Sequence, residues 1–351
     1  MGLETWMLVE EEELELVMSN GEDDNKAGHE QALLTPYQMG PFLLAHRIVH
    51  APMTRCRASG GVPQPETLLY YQQRSSPGGL LVAEATQVMP AESEYGDVPG
   101  IYSVEQAEAW KDIVKAVHDK KAVFFSEIWH SARKTLSESE SKMLVQKFRI
   151  AARNAISAGF DGVEIHGAHG YLVGHELLRE RGDSGVETII QKNACRNALE
   201  IVEAVVDEIG GHRVGFRFSP FTEYTDYKIS DQIKLGVYLA EELNKHKILY
   251  CHFLERMDLN KDASIEPFRN AFKGTVITSG GYTREGGNAA IASGKADLIA
   301  YGRLFLSNPD LPKRFQLKAP LNKYDRGTFY SGTKVKGYTD YPTLEELEFQ
   351  S

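Results

Sequence analysis

The chain has 351 residues, 42% of them hydrophobic, enough for one large domain or two ordinary ones and unlike a disordered composition. A formal net charge of −10 gives no general attraction for phosphate backbones, which argues against nucleic acid as a partner and leaves only a local basic pocket for one small phosphate. No run of roughly 18 apolar residues is present to span a bilayer, and the three scattered cysteines, Cys56, Cys195 and Cys251, suit a reducing compartment rather than a disulfide framework.

In chain order, residues 1–30 stand apart. Glu10 to Glu13, then Glu22, Asp23 and Asp24, make an acidic extension expected to stay solvated and outside the fold. From residue 47 onward, short runs rich in Val, Ile, Leu and Phe alternate with stretches of helical periodicity. The predicted strands are 47–53, 79–86, 122–129, 160–166, 213–219, 248–254, 275–279 and 297–302. Predicted helices cover 103–120, 142–159, 189–210 and 230–246. The first opens on Ser103 with Gln106 three residues later, the pattern of a capping box, and the next two stop at Gly159 and Gly210. Repeated β–α units with continuously apolar strands predict a parallel sheet covered by helices. Eight of them predict an α/β chain folded as a (β/α)8 TIM barrel, with residues 31–351 as a single domain. A doubly wound sheet is the main rival, but "APMTRCR" follows the first strand where that fold would show a G-x-G-x-x-G turn.

Chemistry in such barrels collects at the C-terminal strand ends, and three ends stand out. "SGGYTREGG" and "YGRLF" close the last two strands with small residues, a helix start and a guanidinium, a set suited to a phosphate monoester; the plainer reading is a tight turn. Arg217 interrupts an apolar strand, where an unpaired charge is costly. It either pairs with a structural carboxylate such as Glu164 or faces an anion or an electron-rich ring. "HGAHGY" sets His166, His169 and Tyr171 at the end of the fourth strand. As a zinc site it lacks a third ligand, because His175-Glu176 continues as H-E-L-L-R and not H-E-x-x-H. As a catalytic cluster, two imidazole N–H donors would hold a carbonyl oxygen while the phenol supplies a proton. A histidine pair satisfied by backbone is the third reading. Both rings can point inward only if the strand breaks near Gly167.

These segments, with "YYQQRSSPGGLLVAEAT", "NKYDRGTFY" and "GYTDYP", resemble the Old Yellow Enzyme family, and within it the plant 12-oxophytodienoate reductases, over residues 33 to 346 with gaps. The resemblance implies an FMN-binding barrel that reduces the C=C bond of α,β-unsaturated carbonyls, oxylipins among them, with NADPH. Carried over by motif, Pro52, Met53, Thr54, Ala85 and Glu127 would line the flavin. Arg217 would stabilise charge on the reduced ring, and Gly281, Gly302 and Arg303 would hold the phosphate. His166 and His169 would bind the substrate carbonyl, Tyr171 would donate the proton, and Arg256 and Tyr330 would stand at the substrate-facing rim. The partner implied is a small enone, with no metal, no membrane and no nucleic acid, in a cytoplasmic monomer or weak homo-oligomer.

Some features depart from the family pattern. The segment after His130, "SARKTLSESES", is shorter than the family's, so a more open and wetter pocket is expected. The stretch "HELLRERGDSGVETII" replaces the family's acidic, glycine-containing loop, and His50 replaces an apolar residue. Glu127 replaces glutamine, and an ionised glutamate only accepts hydrogen bonds. Either the flavin potential falls or the site keeps Glu127 protonated. The alternative function is a catalytically impaired relative that binds flavin or an oxylipin; a zinc-dependent barrel hydrolase is a third.

Overall fold

Eight parallel strands close into a barrel in the order β10-β3-β4-β5-β6-β7-β8-β9. They are β3 (Ile48–His50), β4 (Leu80–Gln87), β5 (Val123–Trp129), β6 (Gly162–Gly167), β7 (Val214–Phe218), β8 (Tyr250–Leu254), β9 (Thr275–Ser279) and β10 (Leu298–Tyr301). Six fall within the segments predicted from the sequence, and β4 and β6 run one residue past theirs, to Gln87 and Gly167. In this computed structural model the described residues are 31–90, 95–132, 136–174, 187–221, 229–255, 263–330 and 334–348. The acidic extension, most of 175–190 and Arg256 lie outside them.

Both faces of each barrel strand are covered, so the strands read as apolar runs; all eight residues of β4 are buried. The lower interior is filled by Val49, Leu80, Val82, Phe125, Tyr250, Ile277 and Leu298. Tyr250 fits there because Gly215 stands beside it on β7: a Cβ at that position would run into the phenol ring. A hairpin that periodicity did not reveal, β1 (Tyr37–Met39) and β2 (Phe42–Leu44), closes this end. Three-residue strands are too short to show a pattern. Its Met39 and Leu44 are fully buried in the same cluster, and Phe42 meets Phe125 edge-on at 5.9 Å between centroids.

The helices between strands bury one stripe each. The helix Val104–Asp119 turns Ala107, Trp110, Ile113, Val114 and Val117 inward, and both bonds of the predicted capping box between Ser103 and Gln106 are present. Glu138–Ser157 begins four residues earlier than predicted, because Ser137 and Glu140 form a second capping box. Glu187–Ile209 and Ile229–Lys245 match prediction to within two residues, while Pro65–Arg74, with proline at its first position, was not predicted. No described helix is long and apolar enough to cross a membrane.

Candidate active site

Above the apolar layer the same inward alternation delivers polar side chains. Glu127 of β5 is the cross-strand partner of Glu164 on β6, and His166 of β6 is the partner of Arg217 on β7, which in turn pairs with His252 on β8. All five are buried. Arg217 Nη1 donates to Glu127 Oε1 at 2.9 Å. The structural partner of Arg217 is therefore Glu127 and not Glu164, the candidate named from sequence. Glu164 is taken up by His252 at 3.0 Å, whose other ring nitrogen meets Ser279 Oγ at 2.9 Å.

The "HGAHGY" segment breaks where the glycines allow. Strand β6 ends at Gly167, and His169 and Gly170 follow in the left-handed region with φ of 57° and 65°. His169 is steadied by its backbone N–H, which donates to Ser219 Oγ at 3.1 Å. That break brings both imidazoles and the phenol together. The His166 ring lies 5.5 Å from that of His169 and 5.5 Å from that of Tyr171, and Trp129 backs Tyr171 edge-on at 5.0 Å. Burial, then the proximity of His169 and Arg217, holds the His166 imidazole well below its usual pKa, so the ring is neutral. Its Nδ1 accepts from the Ala168 N–H at 3.3 Å, which leaves the ring proton on Nε2, the nitrogen facing Glu127 Oε1 at 3.9 Å.

The remaining predicted residues border the same space. A β-bulge interrupts the β4–β5 pairing between Ala83 and Thr86, and Ala85 sits in it, packed with Trp129 and Tyr171. Pro52, Met53 and Thr54 follow β3, and the Met53 side chain reaches Gly302, where an added Cβ would lie 3.2 Å from its Sδ. Tyr330 is half-exposed at the rim. Arg256 lies outside the described residues.

Two features fit an FMN. Arg217 Nε is a buried donor with no acceptor from the described protein atoms, as a site for an electron-rich ring would leave it. Gly281, with φ of 100°, faces Arg303 so closely that a Cβ there would stand 3.6 Å from Nη2. Bare backbone and a guanidinium thus open on one space, as a phosphate requires.

Other contributors gave no signal in the sequence. Tyr95, from a loop without periodicity, accepts a hydrogen bond from Tyr171 at 3.1 Å and packs against Tyr330 at 5.1 Å. Glu84 accepts from the backbone N–H of Arg55 at 3.0 Å and so fixes the stretch after β3; burial pushes its carboxyl up to about 7. Glu255 collects Thr278 Oγ1, Tyr282 Oη and Lys295 Nζ at 2.9, 2.6 and 2.6 Å, which anchors the turn that carries Gly281. Each is an ordinary residue type at an ordinary position, and only the folded contacts single it out.

Residues 32–142 and 131–322 match the family described as NADH:flavin oxidoreductase / NADH oxidase. The chain is 48% identical to 12-oxophytodienoate reductase 1 of Oryza sativa subsp. japonica, over 91% of this chain and 95% of the relative. It is 49% identical to 12-oxophytodienoate reductase 2 of Arabidopsis thaliana, over 89% and 96%. The first of these alignments spans 361 positions, more than the 351 residues of the chain, so that relative carries insertions that this chain lacks. Among solved structures, morphinone reductase in complex with tetrahydroNAD superposes with a TM-score of 0.81 at 34% identity, over 89% of this chain and 97% of that one.

Proposed function

Because the chain belongs to the NADH:flavin oxidoreductase / NADH oxidase family, the Old Yellow Enzyme family of FMN-dependent oxidoreductases, we propose that it reduces the C=C bond of α,β-unsaturated carbonyls with NADPH, 12-oxophytodienoate-like oxylipins included. Bound FMN supplies the hydride chemistry, taken from the nicotinamide and delivered to the alkene. Arg217 would hold the electron-rich edge of the ring, and Gly281, Gly302 and Arg303 its phosphate. Pro52, Met53, Thr54 and Ala85 would shape the cavity against it.

The reading is carried by one observation: two imidazoles and a phenol come together where β6 ends, with His166 the cross-strand partner of the buried Arg217. His166 is neutral with its proton on Nε2, which makes it a donor to a carbonyl oxygen without bringing a charge into a buried site. With His169 it would stabilise the negative charge that gathers on that oxygen as the alkene is reduced. Tyr171 would then protonate the α-carbon. Its hydroxyl donates to Tyr95, an acceptor it would exchange for the α-carbon as it gives up the proton. The nicotinamide analogue named with the related barrel supports a nicotinamide reductant.

An absorption spectrum of the purified full chain tests this reading. The protein is expected to be yellow, to bleach on anaerobic addition of NADPH and to recover colour with cyclohexenone. A protein that stays colourless after reconstitution with FMN, or that keeps its colour with NADPH, contradicts it.

A further inference from the structure

The polar layer inside the barrel does not balance if every acid in it is ionised. Glu127 and Glu164 are cross-strand partners with 1% and 0% of their surface exposed. Facing them are Arg217 from β7, His166 from β6, and Tyr250 and His252 from β8. Arg217 is the one permanent cation in this group. Burial holds His166 and His252 below the usual imidazole pKa, in His252 against the pull of Glu164, so neither ring supplies a second charge. Two carboxylates against one guanidinium would leave a net negative charge walled off from water, which is costly.

The hydrogen bonds point to the same imbalance. Arg217 covers Glu127 Oε1, and His252 covers Glu164 Oε2. Among the described residues, Glu164 Oε1 is buried with no hydrogen-bond donor upon it. The two carboxyls nevertheless stand opposite each other on neighbouring strands, and Glu164 pushes the Glu127 carboxyl up. Two ionised carboxylates so placed repel; a proton between them turns the repulsion into a bond.

We propose that Glu127 and Glu164 share one proton at neutral pH, carried by Glu127 and donated to the bare oxygen of Glu164. Glu127 is then a neutral carboxylic acid that still accepts from Arg217. The guanidinium keeps its charge for whatever lies on its other side. Burial raises the Glu127 carboxyl to about 8, with Arg217 opposing and Glu164 reinforcing the shift. Above that pH the proton leaves, and Glu127 cancels the charge of Arg217. Given the FMN reading above, on which this second consequence rests, electron uptake becomes harder in alkali.

Infrared difference spectra of the full-length protein, wild type against E127Q, test the shared proton. In the wild type minus E127Q difference a protonated-carboxyl C=O band is expected at mildly acidic and neutral pH, disappearing with a midpoint near 8; the band of Glu84, which titrates near 7, is common to both proteins and cancels. No such band in that difference, or one that appears only against E164Q, overturns the proposal. Should either variant fold poorly, the wild-type titration reports the shared proton as a second step near 8 after the Glu84 step near 7, and a single step near 7 overturns the proposal. The band belongs to the protein and is read whether or not FMN is retained, so its failure is distinct from failure of the functional reading. On FMN-loaded protein, the reduction potentials of wild type and E127Q should coincide at neutral pH and separate above 8, wild type lower; a separation already present at neutral pH overturns the proposal.

Discussion

At the scale of single residues the account rests on what His166, Tyr171 and Arg217 hold and what holds them. His166 is fixed as a neutral Nε2 donor by one backbone N–H and by burial, so under the proposed function it would offer a hydrogen bond and not a charge. Replacing it with alanine removes one donor to the developing oxyanion. The expected loss is about 100-fold in kcat/KM, roughly 3 kcal/mol, with FMN affinity little changed. Steady-state kinetics beside an FMN titration checks this; a loss confined to FMN binding would place His166 in cofactor retention instead. Arg217→Met leaves Glu127 without its guanidinium and the buried layer without its permanent cation. Weaker FMN binding and a lower flavin potential are expected, both read by spectrophotometric titration.

At the scale of elements, the segment after β10 is tied across the barrel mouth by buried arginines. Arg55 donates to the carbonyls of Phe329, Thr328 and Gly337, and Arg74 donates to those of Tyr70, Leu306 and Tyr338. Arg74 also lies 3.8 Å above the Tyr70 ring, which stacks on Tyr338 at 4.4 Å. The strap sets Tyr330 beside Tyr95 and so beside the hydroxyl of Tyr171. Arg74→Met strands several buried carbonyls at a cost of about 1–3 kcal/mol each. A clearly lower Tm and early proteolysis of the segment from 326 onward are expected; an unchanged Tm would show that the carbonyls find other donors. Loss of the cap in Ser103→Ala is smaller, about 1 kcal/mol, and should lower Tm without touching turnover. The elements themselves were legible where periodicity was long: the barrel strands and four long helices followed from alternating apolar runs and caps. The β1–β2 hairpin and Pro65–Arg74 were not, because the first is too short to have a period and the second buries Tyr70, Tyr71 and Arg74 along with Thr67, a face of no simple hydropathy.

For the whole molecule, the buried ionisable groups set how stability responds to pH. His46 and His50 are pushed down to about 4 and about 3 by burial, and His166 and His252 are lowered as well, so unfolding lets all four take up protons below their ordinary 6.5. Stability therefore rises with pH up to about 6.5 through these groups. Glu84 and Glu127 work the other way. Held up to about 7 and about 8, they keep protons that the unfolded chain gives up above 4.5, and stability falls as pH rises until they ionise in the fold. Four imidazoles outweigh two carboxyls below 6.5, and above it the carboxyls act in the same direction as His118, whose hydrogen bond to Asp161 raises its pKa so that its contribution is also lost as pH rises. Thermal unfolding of the FMN-free protein should thus show its highest Tm near pH 6.5; a Tm still climbing at pH 8 would contradict the burial assigned to Glu84 and Glu127. This balance was not legible in the sequence, which could flag Glu127 and His50 as departures but could not show what faces them. The grouping of His166, His169 and Tyr171 was legible because its three rings lie within six residues, whereas Tyr95, Glu84 and Glu255 enter from loops and strand ends far along the chain. The most direct test of the central claim is anaerobic stopped-flow comparison of wild type with Tyr171→Phe: bleaching by NADPH at matching rates, and recovery of colour with cyclohexenone slowed at least tenfold in the variant or left without saturated product, is the predicted result, and equal recovery with equal yield of saturated product would contradict it.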